Sequence, residues 1–127
     1  MLRNSAVGMC LSDPVSGNFL SANAALCEFF ERSDAELPAC TWQQLTHPDD
    51  LAADQQLAAR LRHDDFDQYR LRKRFLRADD STIWGDLAVS CTRHADGSIR
   101  DLIGQISDVS ELVEQAAYLQ AARRGWR

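Results

Sequence analysis

Three segments decide the fold: Tyr69-Arg70-Leu71-Arg72-Lys73-Arg74-Phe75, Ile83-Trp84-Gly85-Asp86-Leu87-Ala88-Val89-Ser90-Cys91 and Leu102-Ile103-Gly104-Gln105-Ile106-Ser107. In the first, Tyr69, Leu71 and Phe75 alternate with Arg70, Arg72 and Arg74. An extended chain of that pattern has one apolar and one cationic face. In the second, Ile83, Gly85, Leu87, Val89 and Cys91 alternate with Trp84, Asp86, Ala88 and Ser90; in the third, Leu102, Gly104 and Ile106 alternate with Ile103, Gln105 and Ser107. Turn formers separate them at Ala78-Asp79-Asp80-Ser81 and His94-Ala95-Asp96-Gly97, so the three read as an antiparallel meander. Lys73 breaks the first alternation, because its register points it to the apolar side. A buried ammonium needs an anion. A carboxylate ligand, an internal Asp or Glu, and snorkelling to the rim are the three ways to supply it or avoid it.

Upstream, His47-Pro48-Asp49-Asp50 is a helix start. Proline suits the first turn, where its missing N–H is not needed, and acids there complement the helix dipole. Leu51, Leu57, Ala58 and Leu61 carry that helix to about His63. Ser33-Asp34-Ala35-Glu36 predicts a capping box for a short helix stopped by Pro38, and Thr41-Trp42-Gln43-Gln44 predicts a weaker box. Asn23 caps a helix whose Leu26, Phe29 and Phe30 share a face. Residues 8–13 and 18–21 read as a hairpin around Pro14-Val15-Ser16-Gly17. The expected layout is α+β: two strands, a helical middle, then three strands, giving a five-stranded antiparallel sheet with helices packed on one face. From Asp108 onward, Val109, Leu112, Ala116, Leu119, Arg123 and Trp126 follow a coiled-coil spacing, imperfect at Arg123.

At 127 residues the chain is one domain. A net charge of −5 argues against a nucleic-acid surface, and the clustered cations Arg60, Arg62, Arg70, Arg72, Lys73, Arg74 and Arg77 read as a solvated strand face, with a phosphate-binding face as the alternative. Cys10, Cys27, Cys40 and Cys91 are scattered, without a CxxC pair, and read as reduced thiols of a cytoplasmic protein. No apolar run reaches membrane-spanning length and no signal peptide opens the chain, so direct membrane insertion is not expected. The chain starts almost on its first strand and ends on an unfinished helical pattern, as a piece of a longer protein would. No Gly-rich phosphate loop, metal-ligand spacing or nucleophile motif is present, so no catalytic residues and no metal site are expected.

In order and spacing, Thr46-His47-Pro48-Asp49-Asp50, the three strand segments, and Asp108-Val109-Ser110-Glu111 resemble a PAS sensory domain with its C-terminal PAC segment. Asn4-Ser5-Ala6-Val7-Gly8-Met9 and Phe19-Leu20-Ser21-Ala22-Asn23 resemble the opening and the second strand of bacterial members. Asp80 stands where the family usually has the glycine of an Asp-Gly turn, and Ser110 replaces a threonine. The resemblance implies a PAS/PAC sensory domain over 1–110 and the start of an output helix over 111–127. It implies a sensing and dimerisation module of a multidomain bacterial signalling protein, a diguanylate cyclase, phosphodiesterase or histidine kinase. It also implies a homodimer through the outer sheet face (Leu76, Trp84, Ile103) and the C-terminal helix, and a covalently linked output domain.

The family's ligand cavity lies between sheet and helices. Phe29, Trp42, Leu57, Leu71, Lys73, Phe75, Gly85, Leu87, Val89, Gly104 and Ile106 are the candidate lining here, with Gly85 and Gly104 either opening the floor or allowing close packing. A covalent-adduct flavin is disfavoured: Trp42 stands at the reactive cysteine's position, Cys40 is out of register, and Phe75, Gly85 and Ile106 replace the amides that hold the ring. His-ligated haem is disfavoured because the long helix has no mid-helix histidine. No cofactor is expected. Asp108 and Ser110, with Arg72 and Arg74, are the candidate signal relay, through a salt bridge from Asp108 to an arginine, a plain helix cap, or both. Two other readings stay open: a pure interaction module with a filled core, and a redox sensor holding a non-covalent flavin or haem.

Overall fold

In the computed structural model, which describes residues 7–125, the elements run β1 (Gly8–Ser12), β2 (Phe19–Ala22), α1 (Ala24–Phe30), a 3-10 turn (Leu37–Ala39), α2 (Pro48–Arg62), β3 (Gln68–Leu76), β4 (Thr82–Arg93), β5 (Ile99–Asp108) and α3 (Ser110–Gly125). The strands form one antiparallel sheet in the order β2-β1-β5-β4-β3. The predicted α+β layout is the one observed, with each strand of the meander longer than its apolar alternation suggested. Residues 4–6 of the opening motif and the register position Trp126 lie outside the described residues.

Local chemistry sets each boundary. Asn23 Oδ1 accepts from Leu26 N (3.0 Å) at the start of α1 and from Met9 N (2.9 Å), while its Nδ2 donates to Val7 O (3.0 Å). One side chain therefore caps the helix and pins it to β1. The end of α1 is held from the far side of the sheet: Arg77 Nε donates to Phe29 O (3.0 Å) and Ala78 N to Phe30 O (3.1 Å). Ser33 and Glu36 exchange reciprocal capping bonds (2.8 and 3.1 Å), as do Thr41 and Gln44 (3.0 and 3.2 Å). Both boxes form, but Pro38 and the β-extended Cys40 let only a single 3-10 turn grow between them.

β3 is an edge strand, and the chain just before α2 covers it. Leu76 N donates to Leu45 O (2.9 Å), His47 N to Arg74 O (3.0 Å) and Arg74 N to Asp50 Oδ2 (2.7 Å). These bonds occupy groups that would otherwise template pairing with another chain. Behind the sheet, Phe29 and Phe75 meet edge to face at 5.3 Å, with Phe30 packed on both at 5.2 and 5.7 Å. Gly85 is what lets these rings in. A Cβ there would lie 2.8 Å from Phe75 Cε1 and 3.0 Å from Phe29 Cζ.

The departure at Asp80 does not reshape its hairpin. Asp80 takes the left-handed conformation itself (φ 68°), as Gly97 does (φ 90°) in the β4–β5 turn. The flanking chemistry repeats as well: Asp79 and Asp96 each accept from the backbone N–H of the serine two residues on, at 3.0 Å. Left-handed backbone costs a side-chain-bearing residue about 1–2 kcal/mol, partly offset here because Asp tolerates it and glycine loses more entropy on folding. Asp80→Gly is therefore expected to raise stability by about 0.5–1 kcal/mol, read as a higher urea midpoint. A lower midpoint would contradict the assignment of strain at this turn.

Candidate functional site: a small cavity walled by a buried ion pair

The inner face of β3 carries Lys73, 1 % exposed, and the facing side of α2 carries Asp54, also 1 % exposed. Lys73 Nζ donates to Asp54 Oδ2 at 2.5 Å and to Thr46 Oγ1 at 2.6 Å. The Tyr69 hydroxyl donates to Asp54 Oδ1 at 2.7 Å, and Thr46 Oγ1 donates on to Trp42 O at 2.7 Å. The ammonium also lies 4.7 Å from the Phe75 ring centroid and 5.4 Å from that of Trp42. Every polar member of the cluster is thus hydrogen-bonded, which buried charge requires. Burial pushes the Lys73 ammonium below its ordinary value, with Asp54 opposing that shift. Tyr69 is pushed well above 10.0, first by burial and then by the Asp54 charge.

Asp54 is the residue of this cluster that the apolar pattern missed. The buried face of α2 is Asp54, Ala58 and Leu61, spaced i, i+4, i+7, while Leu51 and Leu57 are only half-buried. An acid at the first of those positions was the available signal. It resolves the choice left open for Lys73, because the counter-charge is an internal Asp and not a carboxylate ligand.

A second staple lies one helical turn earlier. Arg74, next along β3 and so aimed to the other side, grips Asp50 through Nε (3.0 Å) and Nη2 (2.9 Å) and stacks over Trp84 at 5.3 Å. Its hydrogen bonds hold the Asp50 carboxyl below the usual carboxylate value. Arg72 pairs with Asp86 directly across the β3–β4 ladder, at 2.7 and 3.1 Å. The expected salt bridge from Asp108 to Arg72 or Arg74 is not made. Asp108 lies opposite Gly85, hence on the inward parity of the sheet, while both arginines have the outward parity and nearer acids. Asp108 Oδ1 instead accepts from Ser110 N (2.9 Å), the cap alternative.

The Lys73 cluster forms one wall of a cavity of about 60 Å³ between sheet and helices. Of the candidate lining residues, Trp42, Lys73, Phe75, Leu87, Val89, Gly104 and Ile106 surround it. Phe29 and Gly85 do not: the space Gly85 leaves is filled by Phe29 and Phe75. Leu57 and Leu71 are half-buried away from it. The turn between β1 and β2 contributes Pro14, Val15 and Gly17, which strand alternation gave no reason to include, and Gln43 joins Trp42 beside them. Among the described residues no cluster of His, Cys, Asp and Glu could hold a metal ion. His47 is spent on capping, its Nδ1 accepting from Asp49 N at 3.1 Å. No described helix is long and apolar enough to cross a membrane.

An antiparallel five-stranded sheet, helices on its inner face, a cavity between them and a helix leaving the last strand make an α+β domain. The family model described as PAS fold matches residues 1–109, and the chain belongs to that family. It is 41 % identical over 108 residues to the Escherichia coli (strain K12) protein named probable diguanylate cyclase DgcE, covering 85 % of this chain. The chain spans only about a tenth of that relative, 10 % of its length. In fold it resembles the N-terminal domain of a diguanylate cyclase with PAS/PAC sensor from Marinobacter aquaeolei (TM-score 0.70, 17 % identity, 83 % of this chain and 96 % of that one). It also resembles a sensory box histidine kinase/response regulator from Burkholderia thailandensis E264 (TM-score 0.75, 19 % identity, 93 % and 88 %). The chain is a PAS sensory domain similar to those of diguanylate cyclases and histidine kinases.

Removing one partner of a buried ion pair strands the other in a dry interior, whereas replacing both with apolar groups removes the problem. Asp54→Ala is expected to cost about 3–5 kcal/mol, while Asp54→Leu with Lys73→Met matches or exceeds native stability. Urea denaturation of the two variants checks this. Equal losses in both would show that packing volume, and not charge pairing, governs the cluster.

Proposed function

We propose that this domain is the non-catalytic sensory module of a multidomain, cytoplasmic signalling protein with a diguanylate cyclase output. In this reading a small ligand in the cavity biases the sheet, and α3 carries the bias to the output domain. The sensory unit spans 1–110, and 111–127 begins the output helix. Two such chains pair through the outer sheet face and α3.

The observation that carries the reading is how α3 is attached. Val109 is buried and its N–H donates to Trp84 O (3.2 Å), and Asp108 caps Ser110, so the first turn is anchored on β4. None of the helix's own residues is buried, and Leu112, Tyr118 and Leu119 are exposed. Such a helix follows any movement of its anchor and offers an apolar stripe to a second helix. The anchor is also continuous with the cavity wall: Lys73 adjoins Arg74, which stacks on Trp84, whose carbonyl holds Val109. A pure interaction module is the second reading, favoured by a cavity well below the roughly 300–1,000 Å³ of drug-sized sites.

Placing this chain in the matching segment of the Escherichia coli relative tests the relay. The chimera is expected to keep cyclic di-GMP synthesis. One residue inserted between Ser110 and Glu111 turns the downstream helix by about 100° and is expected to change output at least about two-fold, and seven inserted residues restore it. Output indifferent to the single insertion would contradict transmission through α3.

A further inference from the structure

The cavity has a closed end and an open end, and the two differ in charge. Around Phe75 and Ile106 its wall is buried and apolar apart from the Lys73 cluster. At the other end it is lined by Val15, 93 % exposed in the β1–β2 turn, and by Arg62, exposed on the last turn of α2, so this end is a mouth. The charges beside Arg62 are spent on one another: Arg60 holds Asp65, and Arg93 holds Asp64 and Asp67. In the turn, Asp13 Oδ1 accepts from Val15 N and Ser16 N at 2.8 and 2.9 Å. Arg62 makes no salt bridge or side-chain hydrogen bond among the described residues, and its charge reaches the Tyr69 hydroxyl in the lining. Inside, Lys73, Asp54 and Tyr69 satisfy one another, and Gln43 packs its amide against Gly17 with Oε1 sealed from solvent. Ser12 is the exception, because its hydroxyl has only the Cys10 sulfur, at 3.9 Å. It ends β1 just before the turn, on the mouth side, and offers a guest one neutral hydrogen bond of either sense. An anionic group drawn deep inside would pull Lys73 away and strand the Asp54 carboxylate, which is costly in a dry interior. The mouth therefore accepts an anionic group and the interior accepts an apolar one.

We propose that the cavity takes a short-chain monocarboxylate, with its carboxylate on Arg62 at the mouth and its alkyl tail inside against Val89 and Ile106. The proposal rests on the reading of this domain as a ligand sensor and specifies what it senses. The volume of about 60 Å³ admits about four non-hydrogen atoms, at about 15 Å³ for each water-sized group, which sets the tail at about four carbons. Burial of that tail supplies the affinity. The exposed arginine adds less, because solvent screens its ion pair, but it selects the sign of the charge.

Pentanoate, pentanamide and acetate separate tail from charge. Each is titrated at neutral pH and low salt into the isotope-labelled domain, following the Val89 and Ile106 methyl signals and the Arg62 Nε signal. Pentanoate is expected to saturate all three in roughly the millimolar range, as so small a ligand allows. Pentanamide should move the methyls alone and bind about three-fold more weakly for want of the ion pair, and acetate should leave the methyls unmoved. Arg62→Gln, a change at an exposed position, should reduce pentanoate to the level of pentanamide. Salt at about 0.5 M should do the same in the native domain. Pentanamide equalling pentanoate would overturn the role of Arg62. Pentanoate moving Arg62 Nε without the methyls would show a surface ion pair only and overturn the seat of the tail. Saturation by none of the three would overturn the assigned ligand class. The phase-shift chimeras test the sensory reading without any ligand, so the two failures are distinguishable.

Discussion

A lysine and an aspartate, both 1 % exposed, face each other between a helix and a sheet, and most of the arrangement follows from that pairing. A lysine on the apolar side of β3 is not tolerable alone. It obliges α2 to present Asp54 at one rotational phase and one height, obliges Thr46 to turn its hydroxyl inward, and draws Tyr69 onto the second carboxylate oxygen. A buried ion pair adds little net stability over apolar packing. What it supplies here is geometry: one register of helix against strand satisfies all four groups.

The periodicities of helix and strand make that register double. Asp50 and Asp54 are one turn apart on α2, so they share a face. Lys73 and Arg74 are adjacent on β3, so they point to opposite sides. The two acids therefore clamp the edge strand from within and along its rim, and Asp50 takes the backbone N–H of Arg74 as well. The same clamp blunts an exposed sheet edge, sets the cavity wall and brings Arg74 over Trp84, next to the root of α3. Stability, site and exit helix are thus tied at one strand.

The fold was legible because its signals are local and redundant. Alternation fixed β3, β4 and β5, while Asn23 and His47-Pro48 fixed the helix starts, each through chemistry within a few residues. The site was legible only in part. Lys73 betrayed itself by breaking an alternation, but Asp54 looked like one more surface acid on a charged helix, and its burial depends on a partner 19 positions away. Gln43 and the Pro14–Gly17 turn were invisible for the same reason, since their place at the cavity comes from tertiary docking. The Asp108 salt bridge was expected from nearness at the sheet end. Strand parity places Asp108 on the opposite side from both arginines, so nearness along the sheet did not bring them together. Ring packing likewise claimed the space at Gly85 that alternation alone could have assigned to a ligand.

The charge state of the central pair can be read directly from the ¹⁵N signal of Lys73 Nζ in the folded domain at neutral pH. A charged, hydrogen-bonded ammonium with slowly exchanging protons, which broadens away in Asp54→Asn, is the result this account predicts. A neutral amine shift in the native domain would mean that no ion pair holds α2 to β3, and would contradict it.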